Sequence, residues 1–415
     1  MVPRRAPDLA VVATFALLSF LPILIASSGG AQASREVVAT DLAWPVSFVF
    51  PPAGPFPAGS ILYSERFTGN VRLLLPGGAP PGSIVANTTV YADGEQGFLG
   101  IAVASDFASR PYVYAYHTYI NTTTNGSMNR VIRWWLGPTA PPGPPPIEVV
   151  LDGIPANTLH VGGILAFADD GTLFITTGDA SMPGNAQDNA SLSGKVLRVR
   201  ADGSIPADNP IPGSPVYTLG HRNVFGLAFQ PATGVPFISE NGPTENDEVN
   251  VLEPGRNYGW PIGTGALGDP RFADPIRTYR SVIAPTGIAF YTGNGSPRWT
   301  GSLFLGDWNF GNLHRLTLVG PGYRGVVSDE VVDSVGFAGI IDVEDGPDGD
   351  LYFSTPSAIY RVRDSGDARG HGVDPLVALA VAAVAILVAF VLVTWLRGRR
   401  RPPAPPLPPA GGPPP

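Results

Sequence analysis

The chain has 415 residues, of which 51 are glycine and 46 are proline, and it contains no cysteine. The absence of cysteine excludes disulfide bonds, thiolate metal sites and cysteine nucleophiles. The formal net charge is −8. Residues 1–33 contribute +1 and residues 375–415 contribute +4, so residues 34–374 carry −13. An acidic domain of this kind disfavours nucleic acid or anionic lipid as a partner and suits a neutral or cationic ligand.

The N-terminal segment has the features of a secretory signal. Residues 9–26 form an uncharged, mostly apolar stretch behind Arg4 and Arg5, and Ala31-Gln32-Ala33 follows. Small residues in this arrangement are typical of a signal cleavage site. We therefore predict a signal peptide over residues 1–33. The length of the apolar stretch leaves an uncleaved signal anchor as the alternative.

An apolar strand pattern recurs six times along the central part of the chain, and most copies continue into a second strand. The anchor residues are separated by 53, 64, 62, 61 and 53 positions: Phe48, Ile101, Leu165, Leu227, Ile288 and Ile341. A fixed period of a few short strands is the signature of sheets repeated around an axis, because each sheet covers the apolar face of its neighbour. The pattern predicts an all-β fold, a six-bladed β-propeller over residues 34–365.

The C-terminal part predicts a membrane attachment. After a stalk at residues 366–374, residues 376–396 carry no charge, and we predict a single transmembrane helix over residues 375–396. Four arginines follow at once: Arg397, Arg399, Arg400 and Arg401. The positive-inside rule places them in the cytoplasm. Residues 397–415 would then be a basic, proline-rich cytoplasmic tail, and the propeller would face outward from the cell membrane.

Two of the five histidines stand out by their position. His160 and His221 each lie in a polar loop directly before a repeat's first strand, where loops from different blades meet at the channel mouth. His117 and His314 lie inside strand patterns and are expected to be structural. His371 lies in the predicted stalk, where we expect no functional role.

Oxygen-rich loops in the fourth repeat are candidates for metal binding. Gly242-Pro243 is followed by Asp247-Glu248, and these supply both backbone and carboxylate oxygens. Hard oxygen ligands suit Ca²⁺ better than zinc or copper, especially in a chain with few histidines. The alternative is a solvated acidic turn without a metal.

A series of ordered motifs spans about residues 44–362. They are Gly94-Glu95-Gln96-Gly97, His160 with Gly162-Gly163, Gly178-Asp179-Ala180, Gly194-Lys195-Val196, Gly220-His221-Arg222-Asn223, Glu240-Asn241-Gly242-Pro243, Asp247-Glu248 and Asn257-Tyr258-Gly259-Trp260. In these motifs the chain resembles the glucose/sorbosone dehydrogenase family, the soluble quinoprotein aldose sugar dehydrogenases that use pyrroloquinoline quinone (PQQ) and Ca²⁺.

The resemblance implies a catalytic set and a cofactor-binding set. His160 would be the general base that takes the proton of the sugar C1 hydroxyl while hydride leaves C1 for the quinone. Gln96 would orient substrate or cofactor. Arg222 and Asn223 would donate hydrogen bonds to the quinone oxygens as charge develops there.

The resemblance also implies two Ca²⁺ sites. The backbone carbonyls of Gly242 and Pro243 would hold the ion that polarises the cofactor. Glu248 and the backbone of Tyr258 would hold a further ion.

The chain departs from the family where the cofactor carboxylates would be held. The family commonly supplies a lysine from the fifth blade and a pair of arginines from the sixth. Here Lys195, in the third blade, is the only lysine, and the corresponding stretches are residues 306–310 and 338–343, without a basic residue. Leu159 also precedes the proposed base where the family often has a polar residue. These departures predict weak, strongly Ca²⁺-dependent PQQ binding.

The sequence therefore predicts a membrane-tethered, extracytoplasmic sugar dehydrogenase that oxidises an aldose at C1 to the lactone. Its partners would be a sugar substrate, an external electron acceptor and the membrane, and not nucleic acid. Two alternatives stay open. One is a non-enzymatic extracellular propeller that binds carbohydrate or protein, and the other is a Ca²⁺-dependent lactonase or hydrolase, since the fold alone does not choose among them.

Overall fold

The fold is a ring of six β-sheets. The computed structural model describes residues 33–137 and 145–366. Their 24 strands form six four-stranded antiparallel sheets, each sheet being one blade. Each anchor residue identified in the sequence lies in or beside the innermost strand of one blade. The predicted all-β, six-bladed propeller is confirmed.

Five blades are built from strands consecutive in the chain, numbered here from the innermost outward. Blade 1 has β2 (Pro45–Val49), β3 (Ile61–Glu65), β4 (Asn70–Leu74) and β5 (Ser83–Asn87). Blade 2 has β6 (Phe98–Val103), β7 (Tyr112–Asn121), β8 (Gly126–Trp135) and β9 (Glu148–Pro155). Blade 3 has β10 (Leu165–Phe167), β11 (Thr172–Thr176), β12 (Lys195–Arg200) and β13 (Val216–Leu219). Blade 4 has β14 (Val224–Phe229), β15 (Pro236–Glu240), β16 (Asp247–Val251) and β17 (Arg277–Tyr279). Blade 5 has β18 (Pro285–Phe290), β19 (Leu303–Asp307), β20 (Asn312–Val319) and β21 (Gly325–Ser334).

The sixth blade closes the ring. It has β22 (Val343–Asp345), β23 (Leu351–Thr355) and β24 (Ala358–Asp364), and its outermost strand is β1 (Ala33–Ala39) from the other end of the domain. Ala33 pairs with Asp364 at the start of this ladder. Pairing the two ends of the domain closes the ring and fixes its circumference. Three short 3₁₀ turns complete the described elements: Pro183–Gln187, Pro321–Tyr323 and Gly336–Ala338.

Hydrogen bonds cross all six junctions between neighbouring blades, close to the inner strands. The donor and acceptor pairs are Ile101 N to Ser47 Oγ, Tyr116 OH to Val161 O, Thr176 Oγ1 to Val224 O, Ser239 Oγ to Thr286 O, Thr286 Oγ1 to Ile340 O and Phe48 N to Asp342 Oδ2, at 2.6–3.3 Å. Buried polar groups need such partners, since an unpaired one is costly. The bonds hold the inner strands, and the loops before them, at fixed separations.

Apolar side chains fill the space between successive sheets. Phe237 of blade 4 meets Phe290 of blade 5 edge to face, with ring centroids 5.1 Å apart. Trp134 and Trp299, both fully buried, fill the largest volumes in blades 2 and 5. Burial of whole aromatic side chains stabilises each junction by roughly 1.5–3 kcal/mol per residue. A rigid ring results, and its loops carry the candidate site.

Residues 1–32 of the predicted signal peptide, the predicted transmembrane helix and the tail lie outside the described residues, as does the stalk beyond Gly366. Strand β1 begins at Ala33, the last residue of the predicted signal. Within residues 33–137 and 145–366, no helix has the length and apolar character needed to span a bilayer.

Candidate functional site

The candidate site lies at the end of the ring where each inner strand begins and each second strand ends. Antiparallel pairing places both kinds of loop at the same edge of every blade. Three of these loops carry the predicted site residues. Gln96 lies in the loop before blade 2, His160 in the loop before blade 3 and Arg222 in the loop before blade 4. We call this end of the ring the channel mouth.

His160 forms a hydrogen-bonded pair with a buried carboxylate at the channel mouth. Its Nδ1 lies 2.7 Å from Asp179 Oδ1, and the Asp179 side chain is fully buried while the imidazole is 15% exposed. In the neutral imidazole, a proton on Nδ1 would be donated to Asp179, which leaves the Nε2 lone pair available. The pair therefore has the arrangement of a base and the group that orients it.

Asp179 is itself held by several neighbours. Its Oδ1 also accepts the backbone N–H of Ser181 at 2.7 Å, and its Oδ2 accepts the indole N–H of Trp260 at 2.7 Å. A Cβ atom on the preceding residue, Gly178, would lie 2.1 Å from the His160 carbonyl oxygen. Only glycine permits this approach. The close packing fixes the carboxylate against the imidazole.

Glu95 ties together the loops of blades 2, 3 and 4. Its Oε2 accepts the backbone N–H of His160 at 2.8 Å and the side-chain amide of Asn223 at 3.0 Å. The side-chain Oδ1 of Asn223 accepts the N–H of Gly162 at 3.2 Å, and Asn223 is 2% exposed. One N–H of the Asn223 side chain is thus used by Glu95, so the predicted hydrogen bond to the cofactor would have to come from the other N–H of the same amide. The contacts seen here make Asn223 a positioning residue for the His160 loop.

Arg222 lies beside the base but points toward the fourth blade. Its Nη1 donates to the carbonyl oxygens of Asn241 at 3.0 Å and Gly242 at 2.8 Å, and its guanidinium lies 5.6 Å from the Trp260 ring centroid. Burial lowers the pKa of Arg222, an effect opposed by nearby carboxylates such as Asp179. The buried Nε has no hydrogen-bond partner among the described residues. The site therefore retains one donor suited to a developing negative charge.

Gln96 lies in the mouth loop before blade 2, but its side chain points into the protein. Its side chain is fully buried, and its Nε2 donates to Ser127 Oγ at 2.8 Å. The Oε1 atom is buried without a partner among the described residues. A buried side chain contacts a substrate at the mouth only if it moves, so the orienting role of Gln96 stays a prediction.

The other histidines of the propeller are enclosed in the protein. His221 is fully buried, bonds Glu240 through Nδ1 at 2.8 Å and stacks on Tyr258 at 4.7 Å. Burial lowers the pKa of His117 to about 4, whereas bonds to two aspartates outweigh burial and raise the pKa of His314 to about 9. Of these four histidines, His160 is the one whose ring lies in a mouth loop and reaches solvent.

The structure gives the Gly242 carbonyl a partner other than a metal. Arg222 donates to it, and the Asp247 carboxylate accepts the N–H groups of Gly242, Ile283 and Ala284 at 2.7–2.8 Å. Among the described residues, no group of three or more histidine, aspartate or glutamate side chains is arranged to hold a metal. Ca²⁺ at Gly242 and Pro243 would require Arg222 to turn away, so this site stays a prediction.

The surroundings of Glu248 fit a cation better. Glu248 is directly opposite Glu240 in the ladder of β15 and β16, and burial together with the charge of Glu240 raises the pKa of Glu248 to about 7. Asn250 donates its side-chain amide to Glu248 Oε2 at 3.0 Å, and Asn241 follows Glu240 in the chain. The Oδ1 atoms of both asparagines are buried without partners among the described residues. Tyr258 joins this region through its stacking on His221, a partner of Glu240. A divalent cation would compensate the two carboxylates and use the free oxygens.

The residues at the fifth and sixth blades do not fit the PQQ carboxylates. Asp307 is fully buried and bonds His314, while Trp308 is 38% exposed and packs on Gly339. Lys195 is fully buried, and its Nζ donates to three backbone carbonyls: those of Asn185, Ala186 and Ser193. Burial lowers its pKa to about 8. The only lysine therefore supports a loop and is not available to a ligand.

Sequence reasoning assigned no role to Asp179, Glu95 or Trp260, although all three stand in the motifs. A usable signal was present for Asp179. Acidic residues recur at or just after the end of the second strand in several blades, as Glu65, Glu240 and Asp307. Each of these holds a basic side chain: Arg72, His221 or His314.

The profile of the family described as Glucose / Sorbosone dehydrogenase matches residues 48–361. The chain is 31% identical over 296 residues to quinoprotein glucose dehydrogenase B of Acinetobacter calcoaceticus, covering 65% of this chain and 60% of that one. It is 37% identical to a solved oxidoreductase (glucose dehydrogenase) of Thermus thermophilus, with a TM-score of 0.70 over 80% of this chain and 99% of that one. The PQQ-bound aldose sugar dehydrogenase of Streptomyces coelicolor is 30% identical, with a TM-score of 0.68 over 80% and 98%. The chain belongs to the glucose/sorbosone dehydrogenase family.

Proposed function

We propose that this protein is a sugar dehydrogenase that oxidises an aldose at C1. The observation that carries the proposal is the His160–Asp179 pair, a histidine reaching solvent at the channel mouth with Nδ1 held 2.7 Å from a buried carboxylate. The family and its sugar-oxidising members support the same class of reaction. The acidic surface of the propeller suits a neutral sugar.

In the proposed reaction, His160 Nε2 takes the proton of the C1 hydroxyl while the C1–H bond breaks and hydride leaves for a two-electron acceptor. A C1=O bond forms, which gives the lactone, and the acceptor is reduced by two electrons. Asp179 holds the imidazole in the required tautomer and stabilises it once it is protonated. Arg222 supplies a guanidinium close to where charge develops. Because the blades that would hold the PQQ carboxylates do not fit them, the proposed steps do not depend on PQQ.

We also propose that Ca²⁺ binds beside Glu248, with Asn250 and the Tyr258 backbone as neighbouring oxygen sources. The ion would neutralise the opposed carboxylates of Glu240 and Glu248. Since Glu240 accepts a hydrogen bond from the backbone of Arg222 at 2.6 Å and contacts His221, the ion would stabilise the loop that carries Arg222. The role of the ion would then be to stabilise the loops of the channel mouth.

A redox-dye assay of the purified chain tests the function directly. Aldoses would be supplied with an artificial two-electron acceptor and Ca²⁺, with and without added PQQ. We expect sugar-dependent dye reduction that His160→Gln slows by about 10²–10⁴-fold, while Leu159→Ala, beside the base, retains it. Absence of dye reduction with every aldose and acceptor would contradict the proposal and favour the non-enzymatic binding propeller.

The location remains a proposal drawn from the sequence. We propose that the propeller is exported and tethered by residues 375–396, with residues 397–415 in the cytoplasm, supported by the uncharged stretch and the four arginines after it. Protease added to intact cells should digest the propeller and leave the tail protected. A protected propeller with a cleaved tail would reverse this topology.

A further inference from the structure

Three aromatic side chains form a wall at the channel mouth across blades 1 and 5. Trp44 lies 5.5 Å from Phe67 and 5.9 Å from Trp308, measured between ring centroids. Phe67 is 50% exposed and Trp308 is 38% exposed. Large apolar side chains clustered in the open are unusual unless something binds them. We call Trp44, Phe67 and Trp308 the aromatic wall.

One cation is in contact with this wall. The Arg66 guanidinium lies 5.4 Å from the Trp44 ring centroid and 4.9 Å from that of Phe67. Arg66 also donates to the carbonyl oxygens of Gly94 and Gln96. The residue between these two is Glu95, which accepts the backbone N–H of His160. The wall is therefore joined to the His160 loop by two successive hydrogen-bonded connections.

The stretches of the fifth and sixth blades beside the wall offer no positive charge to a ligand. Trp308 lies in the fifth-blade stretch, and its ring covers Gly339 of the sixth blade. No basic side chain is present in residues 306–310 or 338–343. An anionic ring would meet apolar faces, an acidic domain and a single guanidinium, that of Arg66, which already donates to two carbonyl oxygens. A neutral planar ring would bury its faces against the aromatic ones.

We propose that the aromatic wall binds a neutral quinone that enters as a free co-substrate and accepts the hydride directly. This rests on the proposed function, which requires a two-electron acceptor. The C1–H and O–H bonds of the sugar break, hydride adds to the quinone, and the proton taken by His160 passes to the reduced quinone. Aldose and quinone thus become lactone and hydroquinone. Arg66 at the edge of the wall stabilises the negative charge that the quinone oxygen gains.

Calorimetric titration of the purified full chain tests the proposal in the absence of sugar. The probes are 2,3-dimethoxy-5-methyl-1,4-benzoquinone, which is neutral, and PQQ. We expect the neutral quinone to bind more tightly than PQQ, and Trp308→Leu and Trp44→Leu each to weaken it at least about tenfold. The matched control is Trp135→Leu. Trp135 is also half-buried and packs on Tyr112 at 5.0 Å, but it lies at the end of β8 away from the mouth. It should leave the affinity unchanged.

Tighter binding of PQQ than of the neutral quinone would overturn the proposal. The proposal would also be overturned if the unmodified chain and both wall variants bound the neutral quinone with equal affinity. Thermal melts of each variant show whether a lost affinity reflects lost folding, and the two variants at different blades provide independent tests. The dye assay tests the dehydrogenase function independently of the quinone titration. If the chain binds the quinone through the wall but reduces no dye with any aldose, only the proposed dehydrogenase function is contradicted. If it reduces the dye but does not bind the quinone, only the proposed quinone site is contradicted.

Discussion

The indole of Trp308 lies directly over the backbone of Gly339. A Cβ atom on Gly339 would be 2.5 Å from Cε3 of Trp308, and the Gly339 φ of +71° is itself unfavourable for other residues. Because the sixth blade lacks the family's arginines, the sequence alone predicts that Gly339→Arg with Ile341→Arg would tighten the weak PQQ binding. The structure corrects this expectation, because the new side chain at position 339 would collide with the indole.

For PQQ we therefore expect weak, Ca²⁺-dependent binding in the unmodified chain and no gain in the Gly339→Arg plus Ile341→Arg variant. Adding Trp308→Ala to that pair should tighten binding at least about tenfold, since each charge-assisted hydrogen bond contributes about 1.5–3 kcal/mol. Equilibrium dialysis of the three proteins measures the effect. Nanomolar affinity in the unmodified chain would show that other residues hold the carboxylates.

Removal of Ca²⁺ should lower the melting temperature. An ion that binds the native state alone stabilises it by about 2.7 kcal/mol at a concentration of 100 Kd. Glu248→Gln should abolish most of the response to a chelator. Glu253→Gln is the control, since Glu253 lies just beyond β16, is exposed and pairs with Arg324. If a strong chelator left the melting temperature of the unmodified chain unchanged, the proposed ion would be ruled out.

Loss of the base should reduce the sugar oxidation rate by about 10²–10⁴-fold without loss of the fold. His160→Ala is the direct test, measured as kcat with the redox dye. His221→Gln tests the alternative, and we expect it to act mainly on stability because His221 is fully buried against Glu240 and Tyr258. An active His160→Ala protein would assign proton abstraction elsewhere.

Asp179 should act through His160 and not on the sugar. Asp179→Asn keeps the shape but offers an amide to Nδ1, which can favour the tautomer with the proton on Nε2, where the base must be free. We expect kcat to fall, KM to change little, and the acidic limb of the pH–rate profile to shift. Trp260→Phe, which removes one donor to Asp179, should produce a smaller shift in the same profile. An unchanged profile in Asp179→Asn would leave Asp179 a purely structural role.

The inner parts of the propeller could be predicted from the sequence because they repeat. The second strands expected after most of the anchor residues are present as β3, β11, β15, β19 and β23. The closing strand β1 could not be predicted in this way. Its partner β24 lies about 325 residues away, and no local periodicity records that pairing.

Site residues were predictable only where their type and their position in a loop were enough to identify them. His160 was singled out because it precedes an inner strand, and the structure places it at the channel mouth. The burial of Gln96 was not predictable, because its side chain bonds Ser127 in β8, the third strand of the same blade, 31 residues along the chain. The contact between Arg222 and Gly242 was likewise hidden, since it joins loops twenty residues apart through a side-chain direction that sequence does not specify.

A buried ionic cluster in blade 5 should make stability depend on pH in the alkaline range. His314 lies 2.9 Å from Asp329 and 3.2 Å from Asp307, and these bonds raise its pKa to about 9 from an ordinary value of 6.5. A pKa raised by folding means that the protonated form is favoured in the native state. The stabilisation is then complete below about pH 6.5 and is lost as pH rises through about 9, with a maximum of about 3 kcal/mol.

The comparison of the unmodified chain with His314→Gln isolates this contribution from other titrating groups. Urea unfolding at a series of pH values should show the variant to be less stable by a constant amount below about pH 6.5. The difference should then narrow steadily between about pH 7 and 9.5, because the native imidazolium is losing its proton there. His117→Gln is a contrasting variant, since burial lowers the pKa of His117 to about 4 and its effect should vary on the acidic side instead. A stability difference for His314→Gln that stays constant from pH 6 to 10 would mean that His314 is neutral in the fold and that the aspartates are held by their other partners.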